Sequence, residues 1–286
     1  MSRIEKTFQT LRDRNEAAFI AYLTAGDPDL ARTEALVAAL TEAGVDILEI
    51  GVPFSDPTAD GPAIQAAAQR SLQAGTTLEA ILEMIARIRR TNPIPVCLFG
   101  YYNPVFSYGN ERFARDARAA GVDALLLVDL PPEEAGELRR FTDPAGLDFI
   151  TLIAPTTGTR RLETVCRKAS GFLYYISVTG VTGTAVPELR DIARDVARIR
   201  RYSDLPVAVG FGITTPDQAA AISPLADGIV MGSALVRLIE AHGRFEDPIP
   251  AAAAYAARIK EAIRRGRREH DAYCVSALAS KSAPQP

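Results

Sequence analysis

Histidine, lysine and cysteine are all scarce in this chain of 286 residues, and each shortage removes a class of chemistry. The two histidines, His242 and His270, lie near the C-terminus, so a histidine-ligated metal site is not indicated. The four lysines, at positions 6, 168, 260 and 281, all miss the ends of the candidate strands, which leaves no residue for a Schiff base. Both absences argue against a lyase working through an imine or zinc. Any carbon–carbon cleavage would need an electron sink within the substrate, with carboxylates moving the protons. The three cysteines, Cys97, Cys166 and Cys274, are far apart and lack CxxC spacing, so neither a disulfide framework nor a zinc site is expected. No apolar run suits a signal sequence or a membrane span, and a soluble, cytoplasmic protein without membrane contact is expected. A formal charge of −3 and a pI near 5.6 argue against a general nucleic-acid binder. The cluster Arg264, Arg265, Arg267 and Arg268 reads as a solvated helix end.

What is present is a repeating pattern. Ile4, Phe8 and Leu11 stand at helical spacing and predict a short amphipathic helix covering one end of the core. Eight apolar strands follow: Phe19 to Leu23, Ile47 to Ile50, Val96 to Phe99, Ala124 to Val128, Phe149 to Ile153, Leu173 to Ile176, Val207 to Val209 and Gly228 to Met231. Helical stretches alternate with them at Leu30 to Glu42, Ala63 to Gln73, Leu78 to Arg89, Asn110 to Ala119, Glu133 to Phe141, Arg160 to Ala169, Pro187 to Arg200 and Pro216 to Ile222. Strands too apolar to expose a face predict a closed parallel (β/α)₈ TIM barrel, with the extra helix at its N-terminus. The expected organisation is one domain over residues 1–265 and a C-terminal extension over 266–286, its last residues disordered.

The loops after the strands are rich in Gly, Pro, Asp and Thr, whereas those before them are short and plain, so the active site belongs at the C-terminal ends. The stretch Ile47 to Gln65, ILEIGVPFSDPTADGPAIQ, is the strongest candidate there. Alternation puts Glu49 on the same face as Ile47, where ionisation is costly, and no Lys or Arg occurs between Glu49 and Arg70 to pair with it. Prolines at 53, 57 and 62 restrict the loop that brings up Asp60, the second candidate acid. VGFGIT at 209–214 and MGSA at 231–234 follow strands seven and eight, where such barrels hold phosphate on backbone N–H groups without needing a cation. SVTGVTGTAV at 177–186 reads as a lid, and Tyr22, Tyr101 and Tyr102 stand at strand ends where rings could wall a flat ligand.

LEIGVPFSDPTADGPAIQ, YYNPVFSYG, DLPPEEAGEL, APTT, YYISVTGVTGT, VGFGI and ADGIVMGSALV occur in order, and over residues up to about 265 the chain resembles the tryptophan synthase alpha chain family. The resemblance implies cleavage of indole-3-glycerol phosphate to indole and glyceraldehyde 3-phosphate, with no metal or organic cofactor. It also implies a partner, the pyridoxal-phosphate beta chain, in a complex of two alpha and two beta chains. By the same resemblance Glu49 is the general acid/base and Asp60 the second catalytic acid. Tyr22, Tyr101, Leu126, Tyr174 and Phe211 are implied to meet the substrate, together with the lid residue Thr182. Gly183, Gly212, Gly232 and Ser233 are implied to meet its phosphate, and Pro53, Asp56, Asn103 and Pro131 to lie near the partner. Two departures stand out: Thr58 where the family commonly has Leu, and Tyr22 where it often has Phe. A lyase acting alone, a silent regulatory subunit and another phosphosugar enzyme on the same barrel remain open at this point.

Overall fold

A computed structural model describes residues 1–176, 188–210, 212–243 and 246–281, with side chains as far as Tyr273. The strands are β1 (Ala18–Thr24), β2 (Ile47–Gly51), β3 (Val96–Gly100), β4 (Ala124–Leu127), β5 (Asp148–Phe149), β6 (Thr151–Ile153), β7 (Leu173–Ile176), β8 (Val207–Gly210) and β9 (Gly228–Met231). They pair in parallel in the order β5-β4-β3-β2-β1-β9-β8-β7-β6. The helices are α1 (Arg3–Asp13), α2 (Leu30–Glu42), α3 (Pro62–Gln73), α4 (Leu78–Ile88), α5 (Tyr102–Tyr108), α6 (Asn110–Ala120), α7 (Gly136–Thr142), α8 (Thr159–Lys168), α9 (Leu189–Ile199), α10 (Pro216–Ile222), α11 (Ser233–Gly243) and α12 (Pro248–Lys281).

The expected barrel is present, with nine strand segments among the described residues in place of eight. The stretch read as one strand from Phe149 to Ile153 divides at Ile150: β5 pairs with β4, and β6 pairs with β7. The two edges of the sheet are thus consecutive pieces of one chain segment, and the barrel closes across Ile150, whose N–H donates to Leu125 O at 2.8 Å. Among the described residues no helix is long and apolar enough to cross a membrane.

Alternation along the strands makes two cores. Ile20, Tyr22, Ile47, Cys97, Leu126 and Tyr174 face the barrel interior. Leu23, Leu48, Ile50, Leu125, Tyr175 and Val209 face the helical ring. The foreseen α1 closes the N-terminal end of the barrel. Ser2 and Glu5 form a reciprocal cap, Ile4, Phe8 and Leu11 are buried, and the Phe8 ring meets Phe172 at 5.7 Å. Its Arg3 donates to buried Asp123 at 2.7 Å, an acid also held by Arg89 at 3.0 Å. The catalytic end is left to the βα loops.

The sequence reading lacks α5, α11 and α12 and starts α7 too early. Asn103-Pro104 resembles a turn, but Pro104 falls in the first turn of α5, where its missing N–H costs nothing. The arginine cluster is solvated at Arg265 and Arg268, as expected, but it does not stand at a helix end. It lies within α12, where Arg264 pairs with Glu16 at 3.0 Å, Arg265 with Asp217 at 2.8 Å, and Arg267 donates to Ala226 O. One turn earlier, buried Lys260 sits between Asp46 at 2.8 Å and Glu16 at 3.2 Å. Asp46 in turn accepts the Phe19 N–H, so the ammonium fastens α12 to the entry of β1.

Replacing Lys260 with methionine leaves Asp46 without a cation and Glu16 with Arg264 alone. The expected loss is about 3 kcal/mol at neutral pH, read as a lower urea midpoint. An unchanged midpoint would mean that the ion cluster contributes nothing to holding α12.

Candidate active site

Glu49 takes its place from the register of β2. It pairs with Tyr22 on β1 and Cys97 on β3, and its side chain enters the apolar interior with 1% of its surface exposed. Its Oε1 has no hydrogen-bond partner among the described residues. Burial alone pushes its carboxyl up to about 8, with no cation offsetting the cost. At neutral pH the group therefore holds its proton. This is the outcome expected of a carboxylate on the face of Ile47 without a local cation.

Asp60 arrives on the loop between β2 and α3. The loop is folded on itself: Thr58 N–H donates to Asp56 O at 2.8 Å, Asp60 N–H donates to Pro57 O at 3.1 Å, and Gln65 reaches back to Asp60 O at 2.8 Å. Gly61 then caps α3, with Pro62 at its first position. The Tyr101 hydroxyl accepts the Ala59 N–H at 2.9 Å and donates to Asp60 Oδ2 at 3.1 Å. Burial raises the Asp60 carboxyl to about 6, and the hydrogen bond from Tyr101 restrains the rise. Asp60 is thus ionised at neutral pH while Glu49 is not.

A cavity of about 400 Å³ joins the two acids. Tyr22 and Tyr174 line it as expected. The Tyr22 ring stands edge-on to Phe99 at 5.3 Å, and its hydroxyl accepts from Thr24 Oγ1 at 3.3 Å. That hydroxyl occupies the space beside Gly51, where any Cβ would lie 2.1 Å from it. Burial, then the charge of Asp60, pushes the Tyr22 hydroxyl far above its ordinary range. Tyr101 does not line the cavity; its contribution is the strut to Asp60. Leu126 is fully buried in the barrel interior and is also absent from the cavity wall.

The other side of the cavity, beyond β1, is made by the ends of β8 and β9. Gly212, Gly232 and Ser233 line it, and Ser233 opens α11. Gly212 has φ +78°, a conformation that favours glycine. The following turn is pinned twice, by Gln218 Oε1 accepting the Thr214 N–H at 2.8 Å and by the Tyr255 hydroxyl donating to Thr214 O at 3.0 Å. Thr182, Gly183, Phe211 and the proposed lid at 177–186 lie outside the described residues.

The sequence reading missed several apolar wall residues, Phe99, Val128, Leu152 and Ile176 among them, and one cation. Val128, Leu152 and Ile176 lie two positions beyond Leu126, Ile150 and Tyr174, and strand parity alone would have found them. The cation is Arg237, four residues into α11 from Ser233. The assembly offers one carboxyl that can give a proton, one that can accept a hydrogen bond, a largely apolar cavity that both line, and a helix N-terminus with glycine turns for an anion.

Known proteins share this sequence and this fold. A family model described as tryptophan synthase alpha chain matches residues 8–264. The tryptophan synthase alpha chain of Citrifermentans bemidjiense is 50% identical over 268 residues, covering 94% of this chain and all of the relative. That of Geobacter sulfurreducens is 55% identical over 240 residues, covering 84% and 91%. The crystal structure of tryptophan synthase subunit alpha from Legionella pneumophila superposes with a TM-score of 0.85 at 39% identity, covering 92% of this chain and 99% of the other. A chain of Mycobacterium tuberculosis tryptophan synthase gives 0.85 at 36% identity, covering 92% and 98%.

Replacing Tyr101 with phenylalanine removes the donor that favours ionised Asp60. The Asp60 carboxyl should then titrate above 6, seen by carbon-13 NMR of labelled aspartate. An unmoved midpoint would remove Tyr101 from the site's electrostatics.

Proposed function

This chain belongs to the tryptophan synthase alpha chain family and is a carbon–carbon lyase that cleaves indole-3-glycerol phosphate to indole and glyceraldehyde 3-phosphate in tryptophan biosynthesis; we propose that Glu49 and Asp60 divide its proton work. The observation that carries this division is the contrast between them within one cavity: Glu49 protonated up to about 8, Asp60 ionised above about 6. Indole is its own electron sink. Glu49 gives its proton to ring carbon 3, and the ring becomes a cationic imine. Asp60 accepts the indole N–H and stabilises the positive charge. The Glu49 carboxylate then takes the proton of the side-chain hydroxyl next to the ring. That O–H pair becomes the aldehyde C=O, the carbon–carbon pair returns to the ring, and Glu49 ends protonated as it began. Tyr22, Phe99, Val128 and Tyr174 wall the indole, and the N–H groups at Gly212, Gly232 and Ser233 hold the phosphate.

Members of the family pair with a beta chain. The finer reading is a complex of two alpha and two beta chains in the cytoplasm, where buried Cys97 and Cys166 stay reduced. The loop around Pro53 and Asp56, with Asn103 on α5 and Pro131 after β4, belongs to the catalytic end and suits a partner that receives indole there.

Glu49→Gln should lower kcat by roughly a hundredfold or more. The kcat/KM profile of the parent should be bell-shaped. It falls below about 6 as Asp60 gains a proton and above about 8 as Glu49 loses one, and the upper limb should vanish in the variant. Near-normal cleavage by the variant would refute the assignment. A beta chain added to the parent should speed cleavage, followed through glyceraldehyde 3-phosphate in a coupled assay; equal rates with and without it would rule out the activating partner.

A further inference from the structure

Among the described residues that line the cavity, Arg237 is the one cation. It stands four residues after Ser233 on α11, hence on the same face of the helix, one turn along. Helical side chains lean toward the N-terminus, so the long arm of Arg237 extends back over the turn that begins at Ser233. Its charge is uncommitted: no described carboxylate pairs with it. Glu240, the acid three residues on, is engaged by Arg70 at 3.1 Å, and Arg70 also grips Asp27 at 2.7 Å.

Its surroundings point the same way. Arg237 lies near Tyr255, whose hydroxyl is raised to about 12 by burial and held back by Arg237 and Arg258. Tyr255 is the residue that pins Thr214 O, so Arg237 borders the turn that follows Gly212. A helix N-terminus supplies N–H groups and about half a unit of positive charge. A phosphate at neutral pH carries more than one negative charge, and a guanidinium adds a full charge with two parallel donors.

We propose that Arg237 is a phosphate-recognising residue of this site, reaching back over the first turn of α11 to pair with the substrate's phosphate and selecting phosphorylated over unphosphorylated indole substrates. This rests on the reading that the phosphate sits at Gly212, Gly232 and Ser233. Because Arg237 is exposed, its attraction also acts on approach and weakens with salt.

The test compares the parent with Arg237→Gln and Arg237→Lys as full chains, using indole-3-glycerol phosphate as substrate and glycerol 3-phosphate as inhibitor. In the glutamine variant KM and the inhibition constant of glycerol 3-phosphate should both rise about tenfold, with the loss falling on KM more than on kcat. The lysine variant should recover most of it, the salt dependence of kcat/KM should flatten in the glutamine variant, and inhibition by free indole should stay the same. If the parent is inhibited by glycerol 3-phosphate and the glutamine variant equally so, Arg237 does not recognise the phosphate. If glycerol 3-phosphate does not compete even in the parent, the phosphate reading itself fails and this inference with it.

Discussion

A carboxyl buried without a cation is the constraint around which the molecule is arranged. Glu49 sits in an apolar barrel with an oxygen left unpartnered, and the fold answers by keeping it protonated. An unfolded glutamate would be ionised at neutral pH, so taking up that proton costs the folded state on the order of 3 kcal/mol. The sign follows from the raised value: the cost grows as pH climbs from the ordinary glutamate range toward about 8, then levels off. A core built for stability alone would put isoleucine there. What the cost provides is a proton donor that regenerates itself in each cycle.

The rest of the frame protects that environment. Inside the barrel, Ile47, Cys97, Phe99 and Tyr174 keep water from Glu49, and α1 closes the far end with Ile4, Phe8 and Leu11. The open end is left to loops, and among the described residues specific bonds fix two of them. Tyr101 holds the segment at Ala59 and Asp60, Gln218 and Tyr255 hold the turn at Thr214, and Gly51 leaves room for the Tyr22 hydroxyl. The two carboxyls thereby feel different surroundings within one cavity. Asp60 is less buried and has a donor; Glu49 has neither advantage. That difference widens the ordinary gap between a glutamate and an aspartate, so that Glu49 titrates at about 8 and Asp60 at about 6.

Much of this could be read from residues alone. Strand periodicity located the barrel and the inward face of Glu49, because alternation is a local property that packing preserved. The proline-rich loop and the two glycine turns marked the catalytic end for the same reason. Most of what escaped depends on contacts distant in sequence. The division at Ile150 follows from closure between β4 and β7, and no local pattern encodes it. Tyr101 looked like a wall because it follows a strand, yet its hydroxyl meets a loop 41 residues away. Arg264 and Arg267 of α12 looked solvated because their partners, Glu16 and Ala226, come from distant parts of the chain. Arg237 escaped because a helix brings it back toward Ser233, four residues earlier.

The most direct measurement is the ionisation state of Glu49 itself, by isotope-edited infrared spectroscopy of the glutamate-labelled protein across pH, with Glu49→Gln identifying the band. A neutral carboxyl that persists through neutrality and loses its proton near 8 is the predicted result. A carboxylate already ionised well below neutrality would show that the barrel does not hold the proton, and the division of work between Glu49 and Asp60 would fall with it.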